Sequence, residues 1–189
     1  MKKAKEVEMI DQSRYRDAMA RLGGAVSVVT TDGPAGLAGF TATAVCSVTD
    51  SPPTLLVCHN RASGTHELFA ANGVLCVNLL SAAQQAVSDI FATRGLAPSE
   101  RFAAIAHHHL TTGSPAIVGA LANFDCRIIS TRQIGTHDVH FCEVIDLSRS
   151  ENGDGLIWFD RGYHFLPGST PPTTPVSPRD ADAATAERA

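Results

Sequence analysis

Six apolar runs of strand length, parted by turn residues, constrain this chain more than any other feature. They are Ala25–Thr31, Pro53–His59, Gly73–Leu80, Ala120–Ser130, Val139–Leu147 and Gly155–Phe159. β-Branched and aromatic residues fill them, while Gly, Pro, Asp, Asn and Ser fill the gaps, which is the pattern of strands joined by turns. Asp32-Gly33-Pro34-Ala35-Gly36 turns the first run back into a further stretch, Gly39–Pro53, so that pair reads as a hairpin. Gly135-Thr136-His137-Asp138 joins two long runs in the same way, and Asp160–His164 closes the last.

Helical spacing is sparser. Asp11 or Ser13 can cap a helix whose apolar positions are Tyr15, Ala18, Met19 and Leu22. A short helix is expected from near His66, and another from Ser81 to Phe91 with Ala82, Ala83, Val87 and Ile90 on its apolar face. No Gly-x-Gly-x-x-Gly follows a strand, which argues against a Rossmann dinucleotide site. The expected fold is therefore mainly β (α+β), an antiparallel barrel with helices packed outside. One domain is expected over 11–166, after a charged leader at 1–10 and before a Pro/Thr/Ala-rich tail at 167–189 that is expected to be disordered.

The net charge of −4 and the lack of a Lys/Arg cluster argue against a nucleic-acid partner. No apolar run approaches the roughly 20 residues of a membrane span, and no apolar segment of a secretory signal follows the N-terminus. Cys46, Cys58, Cys76, Cys126 and Cys142 are scattered singly, as reduced thiols of a cytoplasmic protein would be. His137 and His140 fall on opposite faces of a strand, and His107–His109 read as a solvated cluster in an irregular loop, so no metal site is expected. Ser-His-Asp ordering, paired carboxylates and Walker-type loops do not emerge either.

Gly39–Pro53 is an odd strand. Thr41, Thr43, Cys46, Ser47 and Thr49 stand where a core strand would carry Ile or Leu, and Ala42 and Ala44 leave room beside them. Such a surface suits a flat ligand held by backbone and hydroxyl groups, or simply a strand half open to water. The turn Asn60–Thr65 has a similar double reading, as an anion seat at a helix start or as ordinary capping by Ser63 and Thr65.

Gly-Phe-Thr-Ala-Thr-Ala-Val-Cys-Ser-Val-Thr-Asp-Ser-Pro-Pro, followed by Leu-Leu-Val-Cys-His-Asn-Arg, resembles the flavin-binding segment of the flavin reductase family. The likeness runs from about Tyr15 to His164. It is greatest to the branch of the 4-hydroxyphenylacetate 3-monooxygenase reductase and the flavin reductase of pyrimidine degradation. It implies an FMN-binding split barrel, usually a homodimer with flavin sites between subunits. It also implies hydride transfer from NADH, in preference to NADPH, to FMN or FAD, with reduced flavin passed to a partner flavin-dependent monooxygenase. On this resemblance Thr41, Thr43, Ala44, Cys46 and Ser47 hold the ring system and ribityl chain, and Asn60, Ser63 and Thr65 hold the phosphate. His137 of a Gly-x-His turn positions nicotinamide; Thr136 stands where many relatives carry Asp. Phe102, Arg161 and Tyr163 are expected to border the site.

Overall fold

In a computed structural model, residues 10–168 are described. The stretches 1–9 and 169–189, where leader and tail were expected, lie outside them. The described chain runs α1 Gln12–Met19, β1 Gly24–Ala25, β2 Ser27–Thr31, β3 Ala38–Ala42, β4 Val45–Asp50, β5 Pro53–Asn60, α2 His66–Asn72 and β6 Val74–Leu79. A short 3-10 turn, Ala82–Gln84, leads into α3 Gln85–Ala92 and α4 Pro98–Ala103. The rest is β7 His107–His109, β8 Pro115–Ile117, β9 Ala122–Ile134, β10 His137–Arg149, β11 Gly155–Phe159 and β12 Gly162–Leu166.

Seven strands form one antiparallel sheet in the order β3-β2-β6-β9-β10-β5-β4. Its edge strands, β3 and β4, are consecutive in the chain and separated only by Thr43 and Ala44, so the sheet curls round on itself. The expected barrel with external helices is what the chain builds. Val29, Ala42, Leu55, Val57, Leu75, Val77, Cys126 and Cys142 form one core cluster with Phe69 of α2. A second cluster, Val26, Val28, Leu80, Phe91, Phe102, Ile117 and Leu156, packs α3, α4, β8 and β11 against the barrel. β2 is buried along its whole length because Val29 serves the first cluster and Val28 the second. Its polar residues are buried with them, Thr30 donating to Pro115 O and Thr31 to Val74 O.

Four expectations need correction. Gly39–Pro53 is not one strand: the chain bends at Thr43-Ala44, and the halves become opposite edges of the sheet. His107–His109 do not lie in an irregular loop but pair with Pro115–Ile117 in a two-stranded sheet. Asp160–His164 is only partly a closing turn, since β12 pairs with β11 and β11 with β1 in a separate three-stranded sheet. The α1 helix has its expected cap, with Asp11 accepting from the Ser13 and Arg14 N–H groups, yet none of its residues is buried.

Asn78, fully buried on β6, ties these parts together. Its amide donates to Val28 O at 2.9 Å and Thr30 Oγ1 at 3.1 Å, and its Oδ1 accepts from Ile117 N–H at 2.8 Å and Asn123 Nδ2 at 2.7 Å. Asn123 passes the network to β10 by accepting from Ser148 Oγ at 2.8 Å. A buried polar group left without its partner costs about 1–3 kcal/mol. Asn78→Leu, which strands several at once, is expected to lower stability by about 3 kcal/mol in urea denaturation. The corresponding fall in Tm is roughly 6–12 °C.

Candidate functional site

A cleft of about 900 Å³ lies between β3, the end of β5 with the turn after it, the end of α3, the start of α4 and the first residue of β10. Gly39, Thr41 and Ala42 give it a wall of small residues that continues through Thr43 and Ala44. Gly39 is demanded by close approach: a Cβ there would stand 2.6 Å from the Phe91 ring. Thr41 spends its hydroxyl on α3, donating to Ser88 O at 2.7 Å. Thr43 and Ala44, at the bend, are exposed.

The turn after β5 is built from its own side chains. Asn60 Oδ1 accepts from Ala62 N–H and Asn60 O from Ser63 N–H, both at 2.9 Å. The Ser63 and Thr65 hydroxyls lie 2.9 Å apart, and Thr65 Oγ1 is 3.1 Å from His59 Nε2. Thr65 is the N-cap of α2 but makes no side-chain capping bond, so the hydroxyls are not spent on capping. The helix has only seven residues, and the polarity of the turn therefore rests on hydroxyl and amide groups more than on a helix dipole.

Asp138 fastens this turn to the β9–β10 hairpin. Its carboxylate meets His66 Nε2 at 2.7 Å and Arg61 Nε at 3.8 Å, and Arg61 N–H donates to Thr136 O at 3.0 Å. His137, the residue before Asp138, lines the cleft with Nδ1 3.0 Å from Thr136 Oγ1. Turn and imidazole are thus held in fixed relation.

Of the residues expected from sequence, Thr41, Thr43, Ala44, Asn60, Ser63, Thr65 and His137 converge on this cleft. Cys46 and Ser47, on β4, line a second cavity of about 350 Å³ instead. Phe102 is buried in the second core cluster, edge-on to Phe91 at 5.2 Å. Arg161 pairs with Asp17 and ties the last hairpin to α1. The Tyr163 hydroxyl lies 2.9 Å from Ser88 Oγ and 2.7 Å from Asp89 Oδ1, which binds that hairpin to α3.

Sequence reasoning missed His59 and Arg94, and from Glu100-Arg101-Phe102 it chose Phe102 where Arg101 is the residue that lines the cleft. Arg101 builds the α3–α4 connection by donating to Ile90 O at 2.8 Å and Leu96 O at 3.2 Å. Arg94 stands exposed, and no carboxylate pairs with it among the described residues. The signal for His59 was present: it shares the inward alternation of Leu55 and Val57.

His59 and His140 are each 1% exposed. His59 stacks on Phe40 with ring centroids 4.0 Å apart and planes at 14°. Burial, and then the neighbouring His140 and His66, push the His59 pKa down to about 3; burial lowers that of His140 as well. The thiols move the other way. Burial raises Cys58 in the cleft lining and Cys76 and Cys126 in the core, and pushes Cys142 up to about 12. Among the described residues, no group of three or more His, Cys, Asp or Glu is arranged to hold a metal ion. No described helix is long and apolar enough to cross a membrane.

The depressed histidines have a pH signature. Above the ordinary value of 6.5, folded and unfolded chains both keep His59 neutral, and its contribution to stability is complete. Between 6.5 and about 3 only the unfolded chain takes up the proton, so stability falls as pH falls. One such group removes up to about 1.4 kcal/mol per pH unit. Thermal melts from pH 7 to 5 are expected to decline steadily, and less steeply in His59→Leu; equal slopes would place the protonation elsewhere.

Comparison with known proteins gives concordant matches. A family model described as the flavin reductase like domain matches residues 19–167. The chain is 55% identical over 166 residues, 88% of this chain and 91% of the relative, to the FMN reductase (NADH) RutF of Ancylobacter novellus. It superposes with a TM-score of 0.81, at 48% identity, on a Haemophilus somnus protein crystallised as a candidate flavin reductase, covering 83% of this chain and 100% of that one. It also matches BorF, the flavin reductase component of a bacterial two-component tryptophan halogenase, with a TM-score of 0.77 at 26% identity, over 84% and 100% of the two chains.

Proposed function

The chain belongs to the flavin reductase-like domain family, and we propose that it reduces FMN or FAD with NADH and releases the reduced flavin to a separate flavin-dependent monooxygenase. The observation that carries this reading is the locked pairing of a hydroxyl-rich turn with the His137 hairpin on one cleft. The relative of Ancylobacter novellus is named for NADH and FMN, and BorF for its place in a two-component system. Free thiols at all five cysteines suit a cytoplasmic setting.

The cleft has the chemistry a flavin needs. Gly39 to Ala44 offer a low wall for a flat ring, and Asn60 and Ser63 would hold the phosphate, with Thr65 set behind Ser63. When bound, the flavin accepts a hydride from the nicotinamide at its N5. Hydride transfer needs no side-chain nucleophile, and the one thiol in the lining, Cys58, is kept protonated by burial. The tasks left to the chain are alignment and stabilisation of negative charge. His137 orients the nicotinamide, while Arg94 and Arg101 at the mouth draw in anionic nucleotides. Phe102 and Tyr163 act on the site indirectly, by fixing α3 and α4. Cys46, Ser47 and Arg161 lie off the cleft of a single chain, and reach a flavin only where two chains share a site.

A homodimer also accounts for the apolar groups left outside. Tyr15, Met19 and Leu22 at α1, with Ile129, Ile134, Ile145 and Leu147 on β9 and β10, are exposed. Light scattering is expected to give twice the chain mass; a monomer at micromolar concentration would remove the shared site.

The decisive assay follows NADH oxidation at 340 nm with FMN, FAD or riboflavin added in turn. Turnover that rises and saturates with free flavin is expected, and none with any flavin would leave a binding module. His137→Ala is expected to lose turnover with NADH by roughly 10- to 100-fold while still binding flavin. Adding the protein, NADH and free flavin to a flavin-dependent monooxygenase that lacks its reductase is expected to restore hydroxylation.

A further inference from the structure

We infer that His59 is a positioning residue which, through Thr65, turns the Ser63 hydroxyl into a pure hydrogen-bond donor toward the cleft and so selects for a phosphate. The inference rests on the reading of the Asn60–Thr65 turn as the phosphate seat.

The argument is an accounting of lone pairs and protons. His59 is 1% exposed, its Nδ1 meets no partner, and its Nε2 is 3.1 Å from Thr65 Oγ1. Were the proton on Nδ1, the interior would hold an orphan N–H donor. With the proton on Nε2, only a lone pair goes unmatched, and buried orphan donors are the rarer defect. The Nε2–H tautomer therefore donates to Thr65. The Thr65 hydrogen is then directed to Ser63 Oγ, 2.9 Å away. Ser63 Oγ also accepts from Thr65 N–H at 3.4 Å. Both lone pairs of Ser63 are occupied, so its O–H alone remains to meet a ligand, and Ser63 lines the cleft. A hydroxyl fixed as a donor favours a group that only accepts, such as a phosphate, and offers nothing to one that must donate. Phe40, stacked on the imidazole, keeps the ring from rotating out of this arrangement.

The test compares equilibrium dissociation constants for FMN and for riboflavin, which lacks the phosphate, by titrating flavin fluorescence with the full-length protein. In His59→Leu the preference for FMN over riboflavin is expected to fall about three- to tenfold, as for one lost hydrogen bond, with riboflavin binding unchanged. Ser63→Ala is expected to do the same. His59→Gln, whose amide N–H can stand in for Nε2–H, is expected to retain most of the preference. Equal weakening of both ligands in His59→Leu would make the residue merely structural and overturn the inference. An intact preference in Ser63→Ala would instead remove the phosphate seat itself, and the inference with it. Independently of any ligand or variant, ¹⁵N NMR of the wild-type imidazole is expected to show the Nε2–H tautomer; an Nδ1–H signature would overturn the assignment.

Discussion

A curled antiparallel sheet must either close or leave an edge, and here both edges fall at one bend of the chain. β3 and β4 are joined covalently through Thr43 and Ala44, while the ladders between strands run the long way round the barrel through β2, β6, β9, β10 and β5. Backbone groups at an edge are unpaired and available. At this seam they are only partly spoken for, with Ala44 O accepting from Cys58 N–H at 3.0 Å. Thr43 and Ala44 are also cleft residues. The place where the barrel fails to close is thus one wall of the cleft, while the Asn78 network joins β2, β6, β8 and β9.

Much of this was legible in advance, for identifiable reasons. Turn chemistry announced the β2–β3 and β9–β10 hairpins, because Asp-Gly-Pro and Gly-Thr have little alternative use between apolar runs. The bend at Thr43-Ala44 was hidden because neither residue breaks a strand; only the closure of the sheet demands it. β12 escaped notice because Tyr163-His164-Phe165 follows so soon after β11 that it read as a terminus rather than a returning strand. In the site, small polar residues and the turn hydroxyls could be picked out by type. Cys46 and Ser47 were grouped with Thr41 by the resemblance of the whole segment, and the bend at Thr43-Ala44 sets them along a different cavity. Arg94 lies in a connection that has no periodicity to read.

Beneath the cleft the protein tolerates an unusual electrostatic load. Three imidazoles, His59, His66 and His140, lie with ring centroids 5.3–6.4 Å apart, and Asp138 offers a carboxylate to only one of them. Charging the other two in the interior is disfavoured by desolvation and by mutual repulsion. Their value to the fold is as neutral, shape-filling groups with one directional N–H apiece. Thr65 and Thr131 are their respective hydroxyl partners, at 3.1 and 2.9 Å. A leucine would fill the same space but carry no direction.

The placement of the cysteines bears on how long such a protein survives its own chemistry. Reduced flavin released in air reacts with oxygen and yields hydrogen peroxide, which attacks thiolates far faster than thiols. Cys76, Cys126 and Cys142 are fully buried, and their raised pKa values leave almost no thiolate at neutral pH; Cys58 is shifted in the same direction at the cleft itself. Exposed Cys46, on the edge strand, is the residue that meets the oxidant first. Oxidative wear accordingly begins on β4 and spares the barrel core, so that an aged protein keeps its fold after it has lost that thiol.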